Sequence, residues 1–247
     1  MSAKSNPLSR GPFSCYYIVM KVGILQPSYL PWLGFFEQLA SVDTFVIYDD
    51  VQYTKNDWRN RNRIKTQHGV KWLTVPALTG GRFGELIKDV RIDDSKDWRK
   101  DHLATINFAY ARAPFFGQYF PKLEKIILGS GDSLRELNLA LIRWLAGELG
   151  IKTKIVLSSE LNIPNTGKTQ RLIDICKQLG ATYFYEGAAG RNYINESEFN
   201  SSGIMIAFQD YKHPVYHQLY GDFVPHLSVI DLLFNEGPRS LEIILGK

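Results

Sequence analysis

An open, mostly parallel α/β sheet with helices on both faces is the fold class this sequence predicts, and three observations predict it. Short apolar runs rich in β-branched residues alternate with stretches of helical spacing. Two of these form strand–helix–strand units, over residues 22–48 and 154–185, and an intervening helix makes parallel pairing the expected geometry. A chain of 247 residues with 45% hydrophobic content can bury a sizeable core. The expected sheet is Rossmann-like, and such sheets present their sites at the C-terminal ends of strands.

Residues 22–26 are the first strand, ended by Pro27, which favours an extended residue before it and a turn at it. Pro31 suits a first helical turn, and Trp32, Phe35, Phe36 and Leu39 follow at helical spacing. Residues 44–48 are a second buried strand that delivers Asp49 and Asp50 to its C-terminal edge. Residues 71–76 read as a third strand, followed by the loop LTGGRFGE as a flexible hairpin or lid, and 90–92 as a short strand. Residues 98–111 and 115–128 carry helical spacing, with Pro114 and Pro121 breaking or starting turns. The helix over 133–149 puts Leu134, Leu137, Leu141 and Leu145 on one face, with Asp132 or Ser133 as its cap and Gly150 as its stop. Strands are expected at 154–157, 182–185 and 204–208, and helices at 169–179, 227–234 and 240–245. No repeat, charge block or low-complexity linker divides the chain, so residues 20–247 are expected to form a single α/β domain with a helical insertion at about 97–149. Residues 1–19 contain no apolar run long enough for a signal-peptide core and are expected to be a disordered extension.

Composition excludes several classes of function. Nothing approaches a membrane span. Cys15 and Cys176 belong to no CxxC or Cys/His spacing, so no metal site is expected, and a reducing cytoplasm fits. Net charge is only +4 and no long basic stripe occurs, which argues against nucleic acid as a partner. The cations matter where they cluster, and KNDWRNRNRIK is that cluster. If it is extended, Arg59, Arg61, Arg63 and Lys65 share a face; if helical, Lys55, Arg59 and Arg63 do. Either arrangement suits phosphates or carboxylates, because guanidinium offers a planar fork. With Asp49 and Asp50 just upstream and Asn60 and Asn62 between the cations, the stretch reads as a polar site.

Three further motifs carry less. NTGKTQ resembles the end of a phosphate loop, but that motif needs a glycine where Asn162 stands, so a loop and helix start are expected there. HPVYH spaces His213 and His217 as zinc helices do, yet Pro214 disfavours a helix; His213 alone reads as a hydrogen-bonding or acid/base group. GAAGRNY follows a strand and combines permissive glycines with Arg191 and Tyr193, a pattern useful near a phosphate or carboxylate.

The strings LQPSYLPWLGFFEQLASVDTFVIYDDVQYTKNDWRNRNRIKT, RLIDICKQLGATYFYEGAAGRNYI and FQDYKHPVYHQLYGDFVPHLSVIDLLFNEGP closely resemble the WbqC-like family of bacterial proteins, from about residue 20 to 247. That resemblance implies an association with O-antigen and surface-polysaccharide biosynthesis and the transfer of glycine or another acyl group onto an amino sugar. It implies as site residues Gln26, Tyr29, Asp49, Asp50, Lys55, Arg59, Asn60, Arg61, Arg191, Tyr193, His213 and Asn235. Asp49, Asp50 and His213 would be the catalytic groups and the others would bind substrate. The partners implied are a nucleotide-linked amino sugar and an acyl donor, with ATP and Mg²⁺ as an alternative supply of activation and self-association into a homo-oligomer left open. The strand–loop–helix–strand start also resembles the nucleotide-binding half of pantothenate synthetases and nucleotidylyltransferases. Here SYLPWLGFF stands where those enzymes carry an HxGH-type motif. Adenylate formation and a non-catalytic nucleotide-sugar binder are the competing expectations.

Overall fold

The structure is a computed structural model that describes residues 19–78, 80 and 84–247. Most of the expected N-terminal extension, and Arg82 of the glycine-bearing loop, lie outside the described residues. Strand β1 (Lys21–Leu25), helix α1 (Leu33–Ala40) and strand β2 (Thr44–Ile47) come first, followed by β3 (Arg61–Thr66) and β4 (Gly69–Thr74). Helices α2 (Trp98–Tyr110), α3 (Phe116–Leu128) and α4 (Leu134–Glu148) lead to β5 (Lys154–Leu157), α5 (Lys168–Gln178) and β6 (Tyr183–Glu186). Helix α6 (Glu196–Ser201), β7 (Met205–Phe208), α7 (Val229–Glu236) and α8 (Ser240–Leu245) complete the chain.

Five strands pair in the order β5-β2-β1-β6-β7, every pairing parallel. Both faces are covered, as parallel sheets require. Successive side chains alternate between two cores: Val22, Ile24, Val46 and Phe184 pack with Leu172, Ile175 and Phe199 of α5 and α6. Phe45 and Ile47 pack with α1, α2, α4 and α7 on the other face. Each fully buried Leu, Ile or Phe in these layers contributes on the order of 2 kcal/mol. Helix α4 starts as the sequence indicates, with Ser133 Oγ accepting the Glu136 N–H at 3.4 Å.

Three local expectations change. The strand expected at 71–76 forms a separate antiparallel hairpin with β3, because a two-residue turn can return a chain only antiparallel. The basic cluster is therefore a strand over part of its length. Residues 90–92 make only isolated bridges, Ala77 with Ile92 and Arg91 with Ser133. Pro121 lies inside α3 rather than at a break; the helix keeps its course because its apolar face buries Tyr119, Leu123 and Ile127.

Candidate functional site

Strand order reverses at β1: the chain steps out to β2 and β5 on one side and returns to β6 and β7 on the other. Loops leaving neighbouring strands part at such a point and open a crevice at the C-terminal edge. A cavity of about 1070 Å³ lies there. Gln26, Tyr48, Asp50, Glu186 and Gly187, at or just past the ends of β1, β2 and β6, line it. So do Trp32, Trp58 and Arg59 from the loops before α1 and β3, and Gly167, Lys168 and Arg171 from the start of α5.

Glu186 ends β6 with 4% of its surface exposed, and burial pushes its carboxyl up to about 8. The turn after β6 folds directly over it: a Cβ on Gly190 would stand 2.3 Å from Glu186 Cγ, so no side chain fits there. Tyr193, half-exposed on the same wall, brings its hydroxyl to 3.5 Å from Glu186 Oε1, and its phenol is pushed up to about 12 by burial and then by that carboxylate. Tyr48 is raised mainly by burial, with Arg171 opposing, and Glu186 is among the charges it feels. A carboxyl poised near neutrality beside two phenols is what proton transfer to or from a bound amine or hydroxyl needs.

The cations are held in two ways. Arg59 Nε donates to Gln26 Oε1 at 2.5 Å and its guanidinium pairs with Asp57 at 3.3 Å; burial lowers its affinity for the proton. Arg171 is 5% exposed, pairs with Asp50 and lies 5.2 Å from the centre of the Tyr48 ring. Gly167 takes φ +103 to start α5 and places Lys168 beside it on the wall, so the NTGKTQ segment is a loop and helix start, as expected, and also a cavity wall. Helix N-termini with a neighbouring cation favour phosphate oxygens. Asn62 also lines the cavity, donating to the carbonyls of Tyr29 and Leu30 at 3.3 and 2.7 Å and thereby holding Leu30 at φ +44.

The residues expected from sequence separate into two groups. Gln26, Asp50, Arg59 and Tyr193 line the cavity; Tyr29, Asp49, Lys55, Asn60, Arg61, Arg191, His213 and Asn235 do not. Asp49 is fully buried: Oδ1 accepts the Ser159 N–H at 3.0 Å, and Oδ2 accepts the Ser159 hydroxyl at 2.8 Å and Arg135 at 3.1 Å. Tyr29 is a core residue that meets His102 Nδ1 at 3.0 Å, Asn60 donates to the Val75 carbonyl, and Asn235 donates to the Asp231 carbonyl within α7. Lys55 is exposed, Arg61 lies over Trp72, and Arg191 lies over Phe208. His213 is held between the Pro214 carbonyl, 2.9 Å from Nδ1, and the His226 N–H, 3.1 Å from Nε2, which is the pattern of a neutral ring. Burial lowers its affinity for the proton further, and it stacks 6.4 Å from Trp32, so it reaches the cavity through that indole.

Glu186, Arg171 and Lys168 were missed by reading outward from the basic cluster. The signal for Glu186 was present, since it stands at the C-terminal end of a short strand, as Asp50 stands just past the end of another.

The WbqC-like protein family matches residues 26–243. Uncharacterized protein Rv1507c of Mycobacterium tuberculosis (strain ATCC 25618 / H37Rv) is 42% identical over 222 residues, which cover 89% of this chain and 95% of that protein. No solved structure gives a significant match. The chain belongs to the WbqC-like protein family.

Proposed function

We propose that this protein is a transferase that forms an amide, glycyl or another acyl, on the amine of a nucleotide-linked amino sugar, in the cytoplasmic synthesis of O-antigen or another surface polysaccharide. The observation that carries the reading is Glu186, a buried carboxyl raised to about 8 on the wall of a cavity whose other walls carry Arg59 and Lys168. The cations suit the diphosphate, and the switch-point crevice suits a nucleotide. Glu186, ionised, takes a proton from the sugar ammonium; the freed nitrogen attacks the acyl carbon of an activated donor. The donor's leaving group departs with its bonding electrons, and the second amine proton leaves to solvent or to that group. Asp50, paired with Arg171, fixes the guanidinium at the cavity edge. The buried Asp49 and the doubly bonded His213 act as supports of this wall and not as the base.

Purified protein incubated with an acyl thioester or acyl adenylate and a nucleotide amino sugar is expected to give a product heavier by one acyl group. Glu186→Gln is expected to lower that rate by about 10²–10⁴-fold, the usual contribution of a placed base. Wild-type rate is expected to rise with pH and level off above about 8, as the carboxyl ionises. A second reading, adenylate formation, is favoured by Gly167 and Lys168 at a helix start on the same wall. Release of pyrophosphate from ATP without amide formation on the sugar would select it. Saturable nucleotide-sugar binding without turnover in any assay would leave a binding protein.

A further inference from the structure

The β3–β4 hairpin buries Ile64 and Leu73 on its inner face. Arg61 and Arg63 alternate onto the other face, where Arg63 stands opposite Trp72 in the register. Further along that face Lys65 is buried, its Nζ bonded to Gln218 Oε1 at 3.3 Å and to the Asp222 carbonyl at 2.5 Å, so that cation is engaged internally. Trp72 is 43% exposed and Trp58 40%, their ring centres 5.5 Å apart and their planes 35° from parallel. The Arg61 guanidinium lies 4.6 Å from the Trp72 ring centre, and Arg63 lies 5.7 Å from Trp72 and 5.9 Å from Trp58. Arg63 is anchored in turn by the His226 carbonyl at 3.0 Å.

Two large indoles left half open, each with a guanidinium packed against part of its ring, offer their remaining exposed surface as a stacking platform for a planar ring bearing negative charge nearby. Trp58 lines the cavity beside Arg59, and Trp72 packs against Trp58 outside it, so the platform adjoins the cavity through Trp58. A ring resting on Trp58 and Trp72 therefore has its charged substituent directed to Arg59 and, beyond it, to the start of α5. We infer that the Trp58–Trp72 platform receives the nucleobase of a nucleotide whose phosphates lie in the cavity at Arg59 and Lys168. The inference rests on the reading above only in taking the substrate to be nucleotide-linked. The occupant is set by three things on the surface: two adjacent ring faces, positive charge beside them, and continuity with a cation-lined cavity.

The test is a titration of the wild-type protein's tryptophan fluorescence with uridine and adenosine diphosphates, ribose 5-phosphate, a free hexose and inorganic pyrophosphate, repeated with Trp72→Ala and Trp72→Phe. Base stacking is expected to quench the wild-type signal with the nucleoside diphosphates and not with pyrophosphate. Trp72→Ala is expected to weaken nucleoside diphosphates about ten-fold, within the range of one base–aromatic stack, while pyrophosphate affinity, measured by titration calorimetry because pyrophosphate gives no quench, stays unchanged and Trp72→Phe keeps most of the binding. Thermal melting of each variant separates a local loss from unfolding. Wild-type binding of nucleotides that Trp72→Ala leaves intact overturns the platform while leaving the nucleotide-linked substrate standing. Failure of the wild type to bind any nucleotide removes both. Equal weakening for the free hexose and the nucleotides reassigns the platform to the sugar ring and refutes the inference.

Discussion

Two neighbouring strands of one parallel sheet, β2 and β6, each end in acidic residues at the same edge, and the chain surrounds them in opposite ways. Asp49, past the end of β2, has no exposed surface and accepts from Ser159 twice and from Arg135, while Ser158 Oγ lies 3.1 Å from Oδ1. Glu186, ending β6, is nearly as buried, and its side chain is offered the Tyr193 hydroxyl at 3.5 Å. Burial alone penalises a charged carboxylate; hydrogen bonds to it repay that penalty. The first site spends its donors on rigidity. The second has fewer, the Gly187 N–H and the distant Tyr193 hydroxyl, so burial prevails and its carboxyl sits near 8, where a proton can be taken or given. Position in the fold makes an acidic residue a candidate, but its donors decide what it does.

Removing each carboxylate should break this contrast in opposite directions. Asp49→Ala is expected to have the largest effect on stability, a loss of about 3–5 kcal/mol, because it strips a buried acceptor from Ser159 and removes one of the two carboxylates that Arg135 pairs with among the described residues. Denaturant titration would measure it, and a loss below about 1 kcal/mol would contradict the structural role. Glu186→Gln is expected to act the other way. A folded-state pKa of about 8 lies above the ordinary carboxyl value of 4.5, so both states hold the proton below about pH 4.5 and nothing is lost. As pH rises between those values the unfolded chain ionises while the folded one does not, and stability falls until about pH 8, by a few kcal/mol in all. Melting curves from pH 5 to 9 should show the wild-type protein losing stability on this account and Glu186→Gln keeping it. Parallel curves for the two proteins would mean that Glu186 is not the desolvated group described here.

The fold was largely legible because its signals are local. All five strands of the main sheet were readable as short apolar runs ended by Pro27, Gly187 or polar turns, and α4 was readable from its leucine face and serine cap. Strand order was not, since it is set by contacts far apart in sequence, and neither was β3, where Arg61, Asn62 and Arg63 mask a strand whose inner face carries Asn62, Ile64 and Thr66. In the site, Asp50 and Arg59 were legible from the strand end and the basic cluster. Arg171 was hidden inside an otherwise ordinary helix, because its partner Asp50 lies on a different element. Glu186 was visible as a strand end, but its burial was hidden because it depends on the turn at Gly190 closing over it.

His213 tests the comparison from a third side, with the smallest expected effect. It resembles Asp49 in having its polar atoms engaged, and it resembles Glu186 in being a titratable group close to the site through Trp32. If engagement decides the role, His213→Phe should cost about 1 kcal/mol, since it removes the half-buried ring's bond to the Pro214 carbonyl and its acceptor for the exposed His226 N–H. Melting should then fall by about 2–4 °C. The pH dependence of amide formation should keep its rise toward about 8, because burial lowers the ring's affinity for the proton and so moves its titration away from that rise. A loss of rate beyond about a hundred-fold in a folded His213→Phe protein would instead place the ring in proton transfer and move the base from β6 to the loop after β7.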